Sequence, residues 1–365
     1  MQSVNIDLAD RSYTVFIGSR LLGKPHAAFA VPKNSNVLIV SNETVAPLYL
    51  QSLTASLASA NVESIVLPDG ESFKTMAYWS KIIDKLIAMR ATRDTTMFTL
   101  GGGVIGDLGG FAAASYMRGI NFIQVPTSLL SQVDASVGGK TGFNHEKGKN
   151  LVGAFHQPAA VMIDSATLET LEEREYRAGI AEVIKYGAIR DRGFFDWLED
   201  NIDAINHRET PVLDELIHQS VSNKAEIVAE DEKEAGIRAL LNFGHSFGHA
   251  LEAQTGYSEF LHGEAVSIGM VIAARLSELR GLCVAGATER IISLLSRFSL
   301  PVSLPAETSM DGMLDALNLD KKANAAGLRL VLLTDIGQAV IDTESTREEI
   351  LHIMRQSLDQ NRPAP

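Results

Sequence analysis

The strongest constraint on this chain is a run of β-branched and apolar residues, 95–100, that passes directly into Gly101-Gly102-Gly103-Val104-Ile105-Gly106-Asp107 and then into a small-residue helical stretch, 108–115. Gly101, Gly103 and Gly106 have the G-x-G-x-x-G spacing, placed after a strand and before a helix. Glycines there let the backbone approach a pyrophosphate, and the helix N-terminus supplies donors and a favourable dipole. Tight packing alone would ask for the same turn. One part of the dinucleotide fingerprint is missing. Gln124-Val125-Pro126 closes the next strand, where a ribose-binding acid is expected about 20 residues on. The pattern departs from an ordinary dehydrogenase nucleotide fold but leaves room for a dinucleotide.

Around this turn, residues 37–41, 64–67, 121–125 and 161–164 read as further buried strands, and 45–60 and 72–89 carry helical spacing. Strand–helix–strand alternation predicts parallel βαβ units. The expectation is an α/β, Rossmann-like N-terminal domain with a parallel sheet, residues 1–177. From 174 to 298 the pattern is nearly all helical, interrupted at Gly193, Pro211, Gly236, Gly256 and Gly281, with 328–334 as one late strand candidate. This predicts an all-helical C-terminal domain, residues 178–365.

A net charge of −13 argues against nucleic acid and anionic membranes as partners. The single cysteine, Cys283, excludes an internal disulfide and a thiolate metal cluster, and suits a reducing compartment. The N-terminus lacks a basic stretch followed by an apolar one, and the longest apolar run, 265–274, falls short of the roughly 20 residues that span a bilayer. A soluble, cytoplasmic protein is expected. Within this acidic chain, residues 138–150 carry Lys140, Lys147 and Lys149 against a lone Glu146. That is either a pocket for a small anion or an exposed loop. A second candidate turn, Asp69-Gly70-Glu71-Ser72-Phe73-Lys74, again follows a strand, with Ser72 placed to cap a helix and Glu71 or Lys74 to reach a ribose or phosphate.

On a helical wheel, Arg238, Asn242, His245 and His249 fall within about 60° of one another, while Leu240, Phe243, Phe247 and Leu251 fall opposite. Gly244 and Gly248 cost roughly 1 kcal/mol each in a helix interior, which suggests a close approach. Two histidines at i, i+4 suit one metal ion, and His262 offers a third imidazole. The spacing is not H-E-x-x-H, since Ser246 stands at the glutamate position. Glu182 and Lys185 share a face of an otherwise apolar helix, so the carboxylate needs either the lysine or a cation. One glutamate with two histidines and an open position is a catalytic zinc set.

These segments together resemble the 3-dehydroquinate synthase family, sugar phosphate cyclases of the shikimate pathway. The resemblance rests on SNETV, PDGESFK, GGGVIGDLGGFAAASYMRG, VPTSLLSQVDASVGGKTGFNHEKGKNLVGAFHQP, AGIAEVIKYG, LNFGHSFGHALE, LHGEAVSIGM and DKK. It implies a dehydroquinate synthase-like fold with Glu182, His245 and His262 as ligands of zinc, or of cobalt, and moves His249 from ligand to substrate-facing group. It further implies that Asp69, Gly70, Glu71, Ser72, Phe73, Lys74, Gly103, Val104, Ile105, Gly106, Asp107, Thr127, Ser128, Lys140, Lys149, Thr167, Leu168, Glu169 and Thr170 surround NAD+. Asp134, Lys140, Asn150, Lys185, Lys224, Arg238, Asn242, His249 and one of Lys321 or Lys322 would contact substrate. Arg118 would contact its phosphate from the partner subunit of a homodimer. Ser128, where threonine is commoner, is the one mild departure.

The implied reaction converts 3-deoxy-D-arabino-heptulosonate 7-phosphate into 3-dehydroquinate and phosphate, by transient oxidation, β-elimination, re-reduction and an intramolecular aldol. Three rivals stand beside it. A relative that cyclises another sugar phosphate, making deoxy-inosose or a valiolone, would show changes in the ASVGGKTGFNHEKGKN stretch that are not seen here. A NAD- and metal-dependent polyol or glycerol dehydrogenase would need no such set of lysines. A regulatory module that only senses NAD would have no reason to keep every metal and lysine position.

Overall fold

The central parallel strands of the first half are set by β-branched and apolar runs that suit the middle of a covered sheet. The computed structural model describes residues 1–24, 29, 31–234, 236–323 and 328–358, with the side chains of 318–323 left aside. In chain order come β1 (Gln2–Ile6), β2 (Tyr13–Gly18), β3 (Asn36–Asn42), α1 (Ala46–Ser56), β4 (Asn61–Leu67), α2 (Met76–Ala88), β5 (Thr96–Gly101), α3 (Gly103–Ser115), β6 (Asn121–Pro126), β7 (Lys140–His145), β8 (Gly148–Phe155) and β9 (Ala160–Asp164). Seven of these strands make one sheet in the order β1-β2-β9-β6-β5-β3-β4. All neighbours are parallel except β1 and β2, an antiparallel pair that adds an edge through β2 and β9. One face packs Leu38, Val40, Met97 and Phe122 against α2 and α3. The other packs Val37, Ile39, Phe98 and Val125 against Leu53 and Leu57 of the α1 region.

The remaining elements are α4 (Glu173–Ile189), α5 (Arg192–Asp200), α6 (Ile202–Asn206), α7 (Thr210–Glu230), α8 (His245–Gln254), α9 (His262–Leu279), α10 (Ala287–Arg297), α11 (Met310–Ala323), β10 (Leu330–Asp335), β11 (Gln338–Asp342) and α12 (Arg347–Gln356). The chain forms two compact units, Met1–Glu172 with Arg208–Lys233, and Glu173–His207 with Glu234–Pro365. This differs from a boundary at 177/178, because α7 belongs with the first unit. Its inner side buries Leu213, Leu216, Ile217 and Val221, and polar anchors fix it there. Ser165 donates to Asp214 at 2.5 Å, Gln2 to Glu215 at 3.3 Å, and Arg208 to the carbonyls of Leu168 and Leu171. Helical periodicity marks such a face but does not say which core it covers.

Three further differences have local causes. Residues 138–150 are no loop: β7 and β8 pair as an antiparallel hairpin. A side chain on Gly142 or Gly153 would collide with the facing carbonyl, of Val152 or Thr141 respectively, so glycine is required where the strands pass. Ser72 does not cap α2. It lies in a 3-10 turn, Glu71–Phe73, and the helix starts at Met76 after an extended Thr75. The second unit, expected as all-helical, is helix-rich and adds the hairpin β10–β11 around Gly337, which has φ 87°.

The sheet and α3 approach closely because α3 is built from small residues. A Cβ on Gly109 would strike Cγ2 of Thr99, and one on Gly110 would strike Thr141. Gly109→Ala should therefore destabilise the chain by about 1–3 kcal/mol through overpacking, against the gain of about 1 kcal/mol that alanine brings to an open helix. A urea midpoint that rises instead would mean α3 is not held against β5.

Candidate active site

The carboxyl ends of the parallel strands all point to one edge of the first unit, where α/β sheets bind their ligands. The chain runs outward from β3 to β4 and then returns to the other side of β3 with β5, which makes this the point where strand order reverses. Just beyond these ends lie residues 69–74 after β4, the glycine turn after β5, Thr127 and Ser128 after β6, and Thr167–Thr170 after β9. Hydrogen bonds tie these segments together. Asp69 accepts from Asn42 at 2.6 Å and from Thr44 at 2.7 Å. The Thr127 amide donates to Gly101 at 3.0 Å, and Ser128 and Ser131 share hydrogen bonds beside Gly102. Gln132, fully buried, donates to the Pro126 carbonyl, the Asp164 carbonyl and Thr167 Oγ1, joining the ends of β6 and β9. Nothing in its sequence context marked that glutamine. Tyr49 reaches Thr170 at 2.5 Å.

The hairpin β7–β8 joins the same edge. The Asn144 amide donates to the Lys74 carbonyl at 2.7 Å, and its side chain donates to Glu71 at 2.7 Å. Lys74, 4% exposed, pairs with Asp107 in the first turns of α3 and donates to Asn150 at 2.7 Å. Burial pushes the Asp107 carboxyl up, against the opposing pull of Lys74. Gly70, at φ 118°, and Asn150, at φ 55°, are in the left-handed region where this network turns. Lys140 is exposed at the start of β7, and Lys149 is half-buried on β8. A π-helical turn, Ser131–Ala135, carries Asp134, which accepts from Lys224 of α7 at 2.8 Å on Oδ1 and at 2.6 Å on its carbonyl. Arg118 is exposed in a turn where Met117, Arg118 and Gly119 all have positive φ.

The second unit holds the other cluster. Helix α4 is buried along nearly its whole inner length, and Glu182 and Lys185 within it are 0% and 1% exposed. Their side chains pair, with the lysine over the Tyr186 ring at 5.1 Å. The same carboxylate oxygen, Glu182 Oε1, faces His245 Nε2 at 3.3 Å and His262 Nε2 at 3.6 Å. Burial pushes the Glu182 carboxyl up, yet Lys185 and His245 hold it well below the usual carboxylate range. The wheel over 238–249 does not describe one helix. Residues Ile237–Asn242 form a 3-10 turn, and Gly244 at φ 79° breaks the phase before α8 begins at His245. Arg238 is 2% exposed in that turn, and Asn242 donates to Glu234 at 3.2 Å. His249 is exposed, with its ring centroid 5.5 Å from that of His245 and 5.7 Å from that of His262.

The cluster forms because α8 and α9 approach α4 without side chains in the way. A Cβ on Gly263 would fall inside the Ala178 carbonyl, one on Gly269 inside that of Gly244, and one on Gly248 within 3.1 Å of Ala265. Glu264 fixes the start of α9, accepting from the Leu261 amide at 2.8 Å and from Arg174 of α4 on both oxygens at 2.7 Å. His262 is thereby held on the first turn of α9. Its Nδ1 faces Glu252 at 3.4 Å, a residue that spacing had not marked. Nδ1 of His245 lies 3.2 Å from the Phe243 carbonyl, which leaves Nε2 as the ligating atom. Neither oxygen of the buried Glu182 carboxylate has a hydrogen bond of ordinary geometry. One carboxylate and two imidazoles around it fit a divalent ion with an open position. Lys321 and Lys322 lie in α11, and their side chains fall outside the described residues.

Two family models match the chain, 3-dehydroquinate synthase N-terminal over residues 64–178 and 3-dehydroquinate synthase C-terminal over residues 179–323. The chain belongs to the 3-dehydroquinate synthase family. It is 53% identical to the 3-dehydroquinate synthase of Hydrogenovibrio crunogenus over 93% of this chain and 95% of that one. With the same enzyme of Teredinibacter turnerae it shares 52% over the same proportions. Among solved structures it is similar to a 2-epi-5-epi-valiolone synthase from Streptomyces hygroscopicus subsp. jinggangensis with NAD+ and Zn2+ bound, at a TM-score of 0.88 and 32% identity, covering 96% of this chain and 98% of that one. The expectations of family, of an enzyme, and of an α/β first unit are met, and the second unit, expected as all-helical, is helix-rich.

Burial draws the His262 imidazolium down, but the nearby carboxylates of Glu182 and Glu252 outweigh it and raise its pKa to about 9. The folded value lies above the free value of about 6.5. This group therefore stabilises the metal-free fold below about pH 6.5, and the contribution is lost as pH rises through 9. A metal ion at Nε2 must displace that proton. Adding zinc to metal-free protein at pH 7.5 in weak buffer should release about one proton per site. Zinc binding with no proton release would place the ion elsewhere.

Proposed function

We propose that the two units divide the family reaction, conversion of 3-deoxy-D-arabino-heptulosonate 7-phosphate to 3-dehydroquinate and phosphate, with NAD+ on the first and one divalent ion, zinc or cobalt, on the second. The observation that carries this reading is the convergence of His245 and His262 on the buried Glu182 carboxylate. When bound, NAD+ supplies a reversible hydride acceptor and the metal ion a Lewis acid at the carbinol oxygen.

The chain's own residues bind, orient and move protons. The strand-end segments 69–74, 103–107, 127–128 and 167–170 hold the dinucleotide, with the amides that open α3 toward its pyrophosphate. Lys74 pairs with Asp107, so the two charges at the floor of that site offset each other. Lys140, Lys149 and Asn150 bring the hairpin's positive charge to phosphate groups by charge-assisted bonds. The Asp134–Lys224 pair can hold a proton or direct the lysine at a substrate carboxylate. In the second unit Arg238 offers a buried guanidinium to an anion, Asn242 an amide, and Lys185 an ammonium beside the ligand set. His249, exposed next to His245 and His262, is placed to carry a proton to and from solvent. One of Lys321 and Lys322 completes the substrate contacts. The same reading includes a homodimer in which the exposed Arg118 serves the partner's substrate. It also includes a cytoplasmic setting, supported by the single cysteine. No helix among the described residues is long and apolar enough to cross a membrane.

The deciding experiment follows phosphate release from heptulosonate 7-phosphate with and without a chelator, while NADH absorbance is read in the same cuvette. Chelator-sensitive release without NADH accumulation is expected. Steady NADH build-up on a polyol without phosphate release would make the chain a dehydrogenase. Glu182→Gln and His262→Ala should lose metal and at least about 100-fold in turnover while staying folded; retained activity in either variant removes the ligand assignment.

A further inference from the structure

The ligand reading leaves one buried carboxylate unused. Glu252 is 4% exposed on α8, seven residues after His245, so after two turns it returns to the same helix face. A buried carboxylate must find a partner in compensation for its lost hydration. Its Oε2 lies 3.4 Å from Nδ1 of His262, while Nε2 of that ring faces Glu182 Oε1 at 3.6 Å. The two nitrogens of an imidazole point away from one another, so Glu252 stands behind the ring that Glu182 faces from the front. The other ligand imidazole, His245, has a neutral backbone carbonyl in the corresponding place.

We infer that Glu252 is a positioning residue for the metal site: it accepts the Nδ1 proton of His262 and so holds that ring in the tautomer and rotation that present Nε2 as a ligand. This rests on the reading that Glu182, His245 and His262 hold the ion. His262 is the first residue of α9, and its neighbour Gly263 has no side chain with which to wedge the ring. Without a fixed acceptor the imidazole could turn about its own bonds and offer either nitrogen. A carboxylate acceptor also makes the imidazole a stronger donor to a cation than a carbonyl does. The three side chains His249, Glu252 and His262 have donor atoms within 4.8 Å of one another, so the competing assignment is a second ion held by Glu252 itself.

The test uses the full chain with Glu252→Ala and Glu252→Gln, zinc affinity from competition with a chromophoric chelator, the visible spectrum of the Co2+-loaded protein, and urea unfolding. Positioning predicts a zinc Kd raised about 10- to 100-fold in Glu252→Ala and an altered Co2+ spectrum. Glu252→Gln keeps an acceptor oxygen but not the charge, so its Kd should fall between wild type and Glu252→Ala, with one ion per chain throughout. A wild-type Kd in folded Glu252→Ala overturns the inference, as does a lowered unfolding midpoint with an unchanged Kd. Two ions in the wild type and one in the variant make Glu252 a ligand instead. Should Glu252→Ala fail to fold, the near-isosteric Glu252→Gln decides, and a Kd and spectrum equal to wild type overturn the proposal. If His245→Ala binds zinc as wild type does, the ligand reading itself fails, whatever the Glu252 variants show.

Discussion

A single carboxylate with no access to water organises the second unit. Glu182 sits at 0% exposure in a helix whose neighbours on that side are apolar. Burying such a charge alone would cost far more than one side chain's packing returns. The structure answers from three directions: the Lys185 ammonium from the next turn of α4, the His245 imidazole from the start of α8, and the His262 imidazole from the start of α9. Removing Lys185 leaves the carboxylate uncompensated, the situation in which a broken buried pair costs about 3–5 kcal/mol. The positions of three helix segments are thus coupled through one side chain. A divalent ion binding there would join a balance that is already close to neutral.

That coupling needs backbones closer than ordinary side chains allow. Gly263 against Ala178, Gly269 against Gly244, and Gly248 against Ala265 bring α9 within reach of both α4 and α8. The first unit solves a parallel problem in the same way. Gly101, Gly109 and Gly110 let α3 lie on β5 and β7, and Gly142 and Gly153 let the hairpin strands cross. In both units the chemical groups are charged, but what places them is the lack of a Cβ at the contacts beneath. Enlarging one of these glycines would move a site without touching a residue in it.

This explains what could be read in advance. The strands β3, β5, β6 and β9 are legible because uninterrupted β-branched runs have few other uses, and the glycine turn is legible because it joins one of them to a helix. The hairpin β7–β8 was not, since its glycines, asparagines and lysines disfavour strands individually and form them only through cross-strand geometry. Helix α7 was legible as a helix but not as part of the first unit, because Asp214, Glu215 and Arg208 look like any solvated charges until their partners at residues 165, 2 and 168–171 are known. Side-chain pattern reports a face; it does not report what that face meets.

The metal cluster shows the same limit at finer scale. Spacing alone favoured His245 and His249, one turn apart on one helix. A regular helix does place residues i and i+4 together. It does not decide which of them faces a third group supplied by another helix. Gly244 resets the phase ahead of α8, α9 brings His262 up against the face of His245 that meets Glu182, and His249 is left toward solvent. Glu252, two turns from His245, is drawn in behind His262 for the same reason. Which residues of a stripe meet at a centre is therefore decided by the approach of the neighbouring helix. The sequence encodes that approach in Gly263 and Glu264 rather than in the histidines.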